Sequence, residues 1–133
     1  MTEELKALAR YRLQRAGEAI DEARLLFNAG HVNTYINRLY YAAFYAVSAL
    51  LISSGESASK HSHLRSVFHR EFVKTGLFPI ETGKHFDLLF QNRQKGDYSD
   101  YIVFDAEEVQ DWLEKTNQFV EQIQHYLSRI NWV

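Results

Sequence analysis

The chain has 133 residues, of which 46% are hydrophobic and 24% charged, and its formal net charge at pH 7 is −2. A chain of this size can bury one core, so we expect a single domain over residues 1–133. The small negative charge argues against a broadly basic nucleic-acid surface but allows a local basic site. Cysteine is absent, which excludes disulfides and cysteine metal sites. No long uncharged apolar run occurs, so we predict a cytoplasmic protein without a membrane span.

Apolar residues recur at helical spacing through the first half of the chain. They predict a first helix over 3–29, with Gly30 as the residue that follows its C-terminus. A second helix is predicted over 32–53. It is apolar over most of its circumference and should therefore be the central helix. A short polar linker at 57–60 then leads into a third helix over 60–74.

The second half of the chain predicts two more helices and a loop. A fourth helix should cover 81–94, and the glycine, aspartate and serine content of 96–101 is typical of a loop. The last helix should cover 106–130, because Asp105 and Glu108 have the spacing of a capping box. No segment alternates long enough to build a sheet. The sequence thus predicts an all-α protein, an up-and-down bundle of four to five helices.

The second helix carries a charged and aromatic face inside an apolar segment. Arg38, Tyr41, Tyr45 and Ser48 share this face, and Asn37 lies beside it. A base could stack on the rings while Arg38 contacts a phosphate. Alternatively, the tyrosines belong to the core and Arg38 pairs with a carboxylate on another helix.

A second candidate site follows the fourth helix, where Arg93, Lys95, Asp97 and Tyr98 lie within a few residues. Loops on a rigid scaffold often carry binding groups. The alternative is an ordinary helix end, where the cations complement the helix dipole and Gly96 takes the left-handed cap.

The histidines do not predict a metal site. His61 and His63 are two positions apart, so they point away from each other on a helix, and no carboxylate stands at metal-ligand spacing. His61, Arg65 and His69 share one face at intervals of four. They form either a basic strip for an anion or a solvated helix face.

These motifs, in this order, resemble the HEPN family, and the resemblance covers about residues 10 to 125. It rests on three blocks: Asn37-Arg38-x-x-Tyr41-Ala42-x-Phe44, Lys60-x-x-His63 with Phe68 and Phe72 after it, and Arg93-x-x-Gly96-Asp97-Tyr98.

The resemblance implies a small helical bundle that handles nucleotides or RNA. Many HEPN proteins are metal-independent ribonucleases in which four to six residues separate the active arginine from a histidine that follows it. Two such motifs meet when the protein dimerises. Here Tyr98, Ser99 and Asp100 occupy those positions after Arg93. Tyrosine, with an ordinary pKa near 10, is a poor proton shuttle at neutral pH. The sequence therefore favours binding without cleavage.

Our leading hypothesis is a non-catalytic module that binds a nucleotide or short RNA in a cleft between the second and fourth helices. The resemblance also implies a homodimer beside a minimal nucleotidyltransferase in a toxin–antitoxin-like pair, without a cofactor. The predicted binding residues are Asn37, Arg38, Tyr41, Tyr45, Lys60, His63, Arg93, Asp97 and Tyr98.

Two other hypotheses stay open at the level of sequence. The chain could be a ribonuclease toxin that uses Arg93 with Tyr98, or with a histidine brought close by the fold, such as His63. It could also be a purely structural interaction protein, in which carboxylates such as Asp97 and Asp100 neutralise the arginines.

Overall fold

The computed structural model describes residues 2–56 and 60–133, which form helices joined by turns, with no β-strand among them. The all-α prediction and the helical bundle are confirmed. Except for Lys60, the predicted linker at 57–60 lies outside the described residues. The elements are α1 (Thr2–Asn28), α2 (Val32–Ser53), α3 (His61–Phe68), a π-helical turn (His69–Val73), α4 (Ile80–Tyr98), α5 (Ala106–Val109) and α6 (Trp112–Arg129).

Helix α2 is central, as its sequence predicts, because α1, α3, α4 and α6 all pack against it. Its most extensive contact is with α1. Both helices bury several alanines, and such small side chains let two helix axes approach closely. Although α2 is largely apolar, neither it nor any other helix of the described residues is both long and apolar enough to cross a membrane.

Helix α4 is longer than the sequence predicts and runs to Tyr98 rather than Gln94. The loop prediction for Gly96 to Tyr98 is therefore wrong. Gly96 does not take a left-handed conformation, whereas Gly30, with φ of 84°, does so after α1 as predicted. A Cβ at Gly96 would lie 3.2 Å from Cε2 of Phe104. Gly96 thus lets the following chain pack closely against the end of α4.

The last helix is not continuous over 106–130, because α5 and α6 are separated at residues 110–111. The buried hydroxyl of Tyr35 lies at this break. It donates a hydrogen bond to the Val109 carbonyl (2.8 Å) and accepts one from the Leu113 amide (3.1 Å). Burial raises the pKa of Tyr35 to about 12. The hydroxyl replaces backbone hydrogen bonds that the break leaves unmade.

Asp105 caps α5, but not through the predicted capping box. Its Oδ1 accepts a hydrogen bond from the backbone amide of Glu107 at 3.0 Å. The box predicts a bond to the amide of Glu108 instead.

The predicted third helix changes its geometry part of the way along. Residues from His69 to Val73 form a π-helical turn directly after α3. This turn lies against α4, where a Cβ added to Gly83 would be only 2.8 Å from Cε1 of His69. Glycine in a helix interior costs stability relative to alanine. Here the missing side chain makes room for the His69 ring.

Candidate nucleotide or RNA site

Arg93 lies on α4 with its side chain 7% exposed. Its guanidinium carbon is 4.7 Å from the ring centre of Tyr40, 5.9 Å from that of Tyr41 and 5.7 Å from that of Tyr98. Cations within about 6 Å of an aromatic face are attracted by the ring quadrupole. The rings thus stabilise a buried positive charge on α4.

The polar partners of Arg93 are incomplete. Its Nη1 lies 3.4 Å from the Tyr98 hydroxyl and 3.8 Å from Oδ2 of Asp97, and both distances are long. Its Nε is buried without a hydrogen-bond partner among the described residues. A guanidinium has five N–H donors, and an unmet buried donor is costly. Arg93 therefore keeps hydrogen-bonding capacity that the described residues do not use.

A chain of polar contacts joins this arginine to the predicted Asn37–Arg38 motif. The Nδ2 of Asn37 donates to Oδ2 of Asp97 at 2.9 Å, while its Oδ1 accepts from Nε and Nη2 of Arg38 at 3.2 and 3.0 Å. Arg38 also pairs with Glu22 of α1 at 3.2 Å. Arg38 thus has a carboxylate partner on another helix, which is one of its two predicted alternatives.

The two tyrosines predicted on α2 point to different neighbours. The ring of Tyr41 lies 5.0 Å from the Arg38 guanidinium carbon and also borders Arg93. The hydroxyl of Tyr45 instead accepts a hydrogen bond from Nη2 of Arg15 on α1, at 3.0 Å. Tyr41 therefore belongs with Tyr40, Asp97 and Tyr98 to the group of side chains around Arg93, which we call the Arg93 cluster. Tyr45 lies outside this cluster and contacts α1.

His61 joins the Arg93 cluster, although the sequence does not single it out for this role. Its Nδ1 is 2.7 Å from the Tyr40 hydroxyl, and its ring stacks on Phe44 at 4.4 Å. Burial and then the Arg93 charge lower the pKa of His61, while burial raises the pKa of Tyr40. Both groups are therefore neutral at pH 7. His61 lies within the Lys60-x-x-His63 block, and this block is the feature of the sequence that could have indicated His61 as a site residue.

Lys60 and His63 are exposed where α3 begins. Among the contacts of the described residues, neither is brought to Arg93. The predicted basic strip is divided between two neighbours. His61 contacts α2, whereas Oδ1 of Asp87 on α4 lies 3.1 Å from Nη1 of Arg65 and 2.9 Å from Nε2 of His69, both of which stay partly exposed. Asp87 therefore offsets part of the positive charge of this strip.

At Arg93 the rings of Tyr40 and Tyr41 lie between α2 and α4. Two grooves of the described residues lie between α1 and α6 and beside the π-helical turn. Tyr98, which is 76% exposed, borders a shallow groove with Lys95. Tyr98 is therefore the most exposed of the rings around Arg93. Within the described residues, no group of three or more metal-ligating side chains could hold a metal ion.

The fold and this site define a small helical-bundle protein with a buried arginine set among tyrosine rings. The family profile described as HEPN domain matches residues 9–126. The chain therefore belongs to the HEPN family, as its sequence motifs indicate.

Several proteins resemble the chain over most of its length. A protein of Thermotoga maritima named as a UPF0332 protein is 43% identical over 121 residues, which cover 91% of this chain and 92% of the relative. Two proteins of Methanocaldococcus jannaschii, each named as a candidate toxin, are 29% and 27% identical. Those matches cover 86% and 96% of this chain, and 78% and 92% of the relatives.

Proposed function

We propose that this chain is a toxin-like HEPN module that binds a nucleotide or a short single-stranded RNA at Arg93. The observation that carries the proposal is the incomplete pairing of a buried guanidinium. Arginine binds phosphate through paired N–H donors, and its Nε is one of the donors suited to that geometry. In this proposal a phosphate oxygen supplies the hydrogen-bond acceptor that Nε of Arg93 lacks among the described residues.

Tyr98 is the residue that controls access in this proposal. Its ring covers Arg93 on the solvent side, yet it is 76% exposed and is bonded to Arg93 only by the long 3.4 Å contact. Rotation of Tyr98 would expose the guanidinium and offer a ring on which a base can stack. Asp97, oriented by Asn37 at 2.9 Å, would hold Arg93 in place without neutralising it fully.

The test is thermal unfolding of the full chain with a panel of mono-, di- and trinucleotides and a short RNA. A ligand that binds only the folded state raises the unfolding midpoint by mass action. The shift should disappear in Arg93→Met and persist in Arg24→Gln, which removes a charge from an exposed ion pair with Asp21. The binding constant should fall as salt is added, because roughly one counterion is released for each phosphate that the protein contacts. An equal shift in Arg93→Met would overturn the assignment.

His61 favours a second candidate, metal-independent cleavage of RNA at the same site. With its Nδ1–H donated to Tyr40, a neutral His61 can take the proton of a ribose 2′-hydroxyl on Nε2 as general base. The 2′-oxygen then bonds to phosphorus and the 5′-oxygen of the next nucleotide leaves, taking a proton from solvent, while a nearby guanidinium stabilises the negative charge that develops on the phosphate. The Nδ1 of His61 is hydrogen-bonded to the hydroxyl of Tyr40, and the ring of Tyr40 also contacts the Arg93 guanidinium. The candidate base is therefore His61 rather than His63, which is exposed.

An RNA cleavage assay in the presence of a chelator separates this candidate from binding alone. Cleavage should be lost in His61→Gln and Arg93→Met and retained in the matched variant His63→Gln. If Arg93→Met cleaves as well as the parent protein, the activity comes from a contaminant.

We also propose a homodimer that pairs with a minimal nucleotidyltransferase as a toxin and its antitoxin. The names of the two M. jannaschii relatives support only the toxin part of this proposal. The homodimer and the nucleotidyltransferase rest on what the resemblance to the HEPN family implies. Sedimentation analysis tests the dimer. Expression with and without a nucleotidyltransferase encoded beside this chain tests the pair: growth arrest by the parent protein, relieved by the partner, is the expected result. Growth arrest unaffected by the partner would contradict it.

A further inference from the structure

Aromatic rings and guanidinium groups contact one another in a row that crosses three helices. The Arg15 guanidinium carbon lies 6.0 Å from the Tyr11 ring centre and 4.9 Å from that of Tyr45. The rings of Tyr45 and Tyr41 are 6.1 Å apart, and Tyr41 borders Arg93. We name this line the stacking row. It consists of Tyr11 and Arg15 on α1, Tyr45 and Tyr41 on α2, and Arg93 and Tyr98 on α4.

We propose that the stacking row is a track for single-stranded RNA that extends from the Arg93 site across α2 to α1. The proposal rests on the proposed function at Arg93. Proteins that hold single strands without sequence preference combine cationic groups, which track the backbone, with rings on which successive bases stack. The stacking row supplies both kinds of group over three helices, so its ligand is an RNA segment longer than one nucleotide.

The geometry suits stacking from the solvent side. Tyr11, at one end of the row, is 48% exposed, and Tyr98, at the other end, is 76% exposed. Between them, Arg15 lies over the ring of the half-buried Tyr45. A guanidinium is planar and stacks on aromatic faces. A base placed on the outer face of Arg15 would therefore continue an existing stack.

In this proposal, two carboxylates compete with RNA phosphates for Arg15 of the row and for Arg38 beside it. Glu18 lies 3.5 Å from Arg15, and Glu22 lies 3.2 Å from Arg38, which flanks Tyr41. The side chains of both glutamates are about half exposed. Exposed pairs of this kind add little to stability, so a phosphate can replace the glutamate. Removing either carboxylate should then tighten RNA binding.

The test measures the fluorescence anisotropy of labelled oligouridylates from one to about eight nucleotides long with the full chain. Affinity should rise with length up to about four nucleotides and then level off. Arg93→Met should weaken binding at every length. Tyr11→Ala and Arg15→Gln should weaken the longer oligomers by about fivefold or more and leave the mononucleotide unchanged.

Two further variants sharpen the test. Glu22→Gln should tighten the longer oligomers, because it removes a carboxylate that competes with phosphate for Arg38. Arg24→Gln is the matched control, since Arg24 is nine residues from Arg15 and therefore on the opposite side of α1. It should leave affinity unchanged at every length.

Failure of the track can be told apart from failure of the Arg93 site. If a mononucleotide binds in an Arg93-dependent way but affinity does not change with length, the track is overturned and the proposed function stands. If no oligomer binds at any length, both are overturned. If Tyr11→Ala changes the sedimentation of the protein and not its RNA affinity, the row is instead a contact surface for a second copy.

Discussion

Arg93, on α4, and Arg65, on α3 against α4, differ in how deeply they are buried and how closely they are paired. The difference separates an arginine that supports the fold from one in a candidate site. Arg65 lies 3.1 Å from Asp87 and stacks on Phe90 at 4.2 Å, with its side chain 31% exposed. Arg93 is more deeply buried, at 7% exposed, yet its carboxylate partner, Asp97, is 3.8 Å away. Arg93 is thus the more buried of the two and the less well paired.

A charge that only supports the fold should be paired more closely as it becomes more buried, because desolvation costs more in the interior. Arg65 follows this rule and Arg93 does not. The rings around Arg93 offset part of the cost, but they accept no hydrogen bond from its Nε. The comparison therefore assigns a role in stability to Arg65, His69 and Asp87, and it supports the proposal that Arg93 is held for a ligand.

The largest expected effect is on the Arg65 side, in Asp87→Ala. This change removes the acceptor shared by Arg65 and His69 and should lower the free energy of unfolding by about 3 kcal/mol. Urea denaturation measures it. The control Asp21→Ala, in an exposed pair with Arg24, should cost less than about 1 kcal/mol. A loss in Asp87→Ala no larger than in the control would contradict the structural assignment.

A similar but smaller loss is expected in Gly83→Ala. The added methyl would lie 2.8 Å from Cε1 of His69, so the ring must move, and overpacking of this kind costs about 2 kcal/mol. Gly17→Ala is the matched control, because nothing lies within 4 Å of a Cβ at Gly17. That variant should gain about 0.5 to 1 kcal/mol from the preference for alanine in a helix interior. Equal thermal stability of the two variants would show that the contact with His69 is dispensable.

The free energy of unfolding of Arg93→Met is the most direct test of the difference between the two arginines. If Arg93 is held for a ligand, replacing its charge with an apolar side chain should leave the free energy of unfolding within about 1 kcal/mol or raise it. Arg65→Met should instead cost about 2 kcal/mol. A loss of several kcal/mol in Arg93→Met would favour the purely structural hypothesis.

The smallest expected effect is on the titration of His61, followed by NMR. Burial, and then Arg93, hold the pKa of His61 below its ordinary value, so Arg93→Met should raise that pKa only part of the way back. The unfolded chain binds this proton first as the pH falls. Neutral His61 therefore favours folding above pH 6.5, and this contribution is lost as the pH falls below that value. An unchanged pKa in the variant would show that Arg93 does not act on His61.

The fold class could be predicted from the sequence because apolar residues recur at helical spacing along most of the chain. Two boundaries could not, because they depend on distant contacts. The end of α4 has the composition of a loop, yet Asn37 of α2 bonds to Asp97 and helps to hold it. The break before α6 occurs where the hydroxyl of Tyr35 bonds to residues more than 70 positions away.

The candidate site could be predicted only in part, because spacing along the sequence identifies some of its residues and distant contacts supply the others. Motif spacing identifies Arg38 and Arg93, and the structure joins them through Asn37 and Asp97. The other components require tertiary information. Glu22 is one of many surface carboxylates in sequence, and His61 is brought to Arg93 only by the packing of α3 against α2 and α4.

The π-helical turn at His69–Val73 also makes this part of the chain sensitive to insertion and deletion. A π-helical turn holds about one residue more than an α-helical turn. Deleting one residue there would convert it into a regular α-helical turn, in which the side chains on either side keep nearly the same phase but the wider turn that places His69 against Gly83 is removed. The contact between His69 and Gly83 would then be lost or rebuilt. Relatives that differ in length by one residue at this turn should therefore also differ at the position of Gly83.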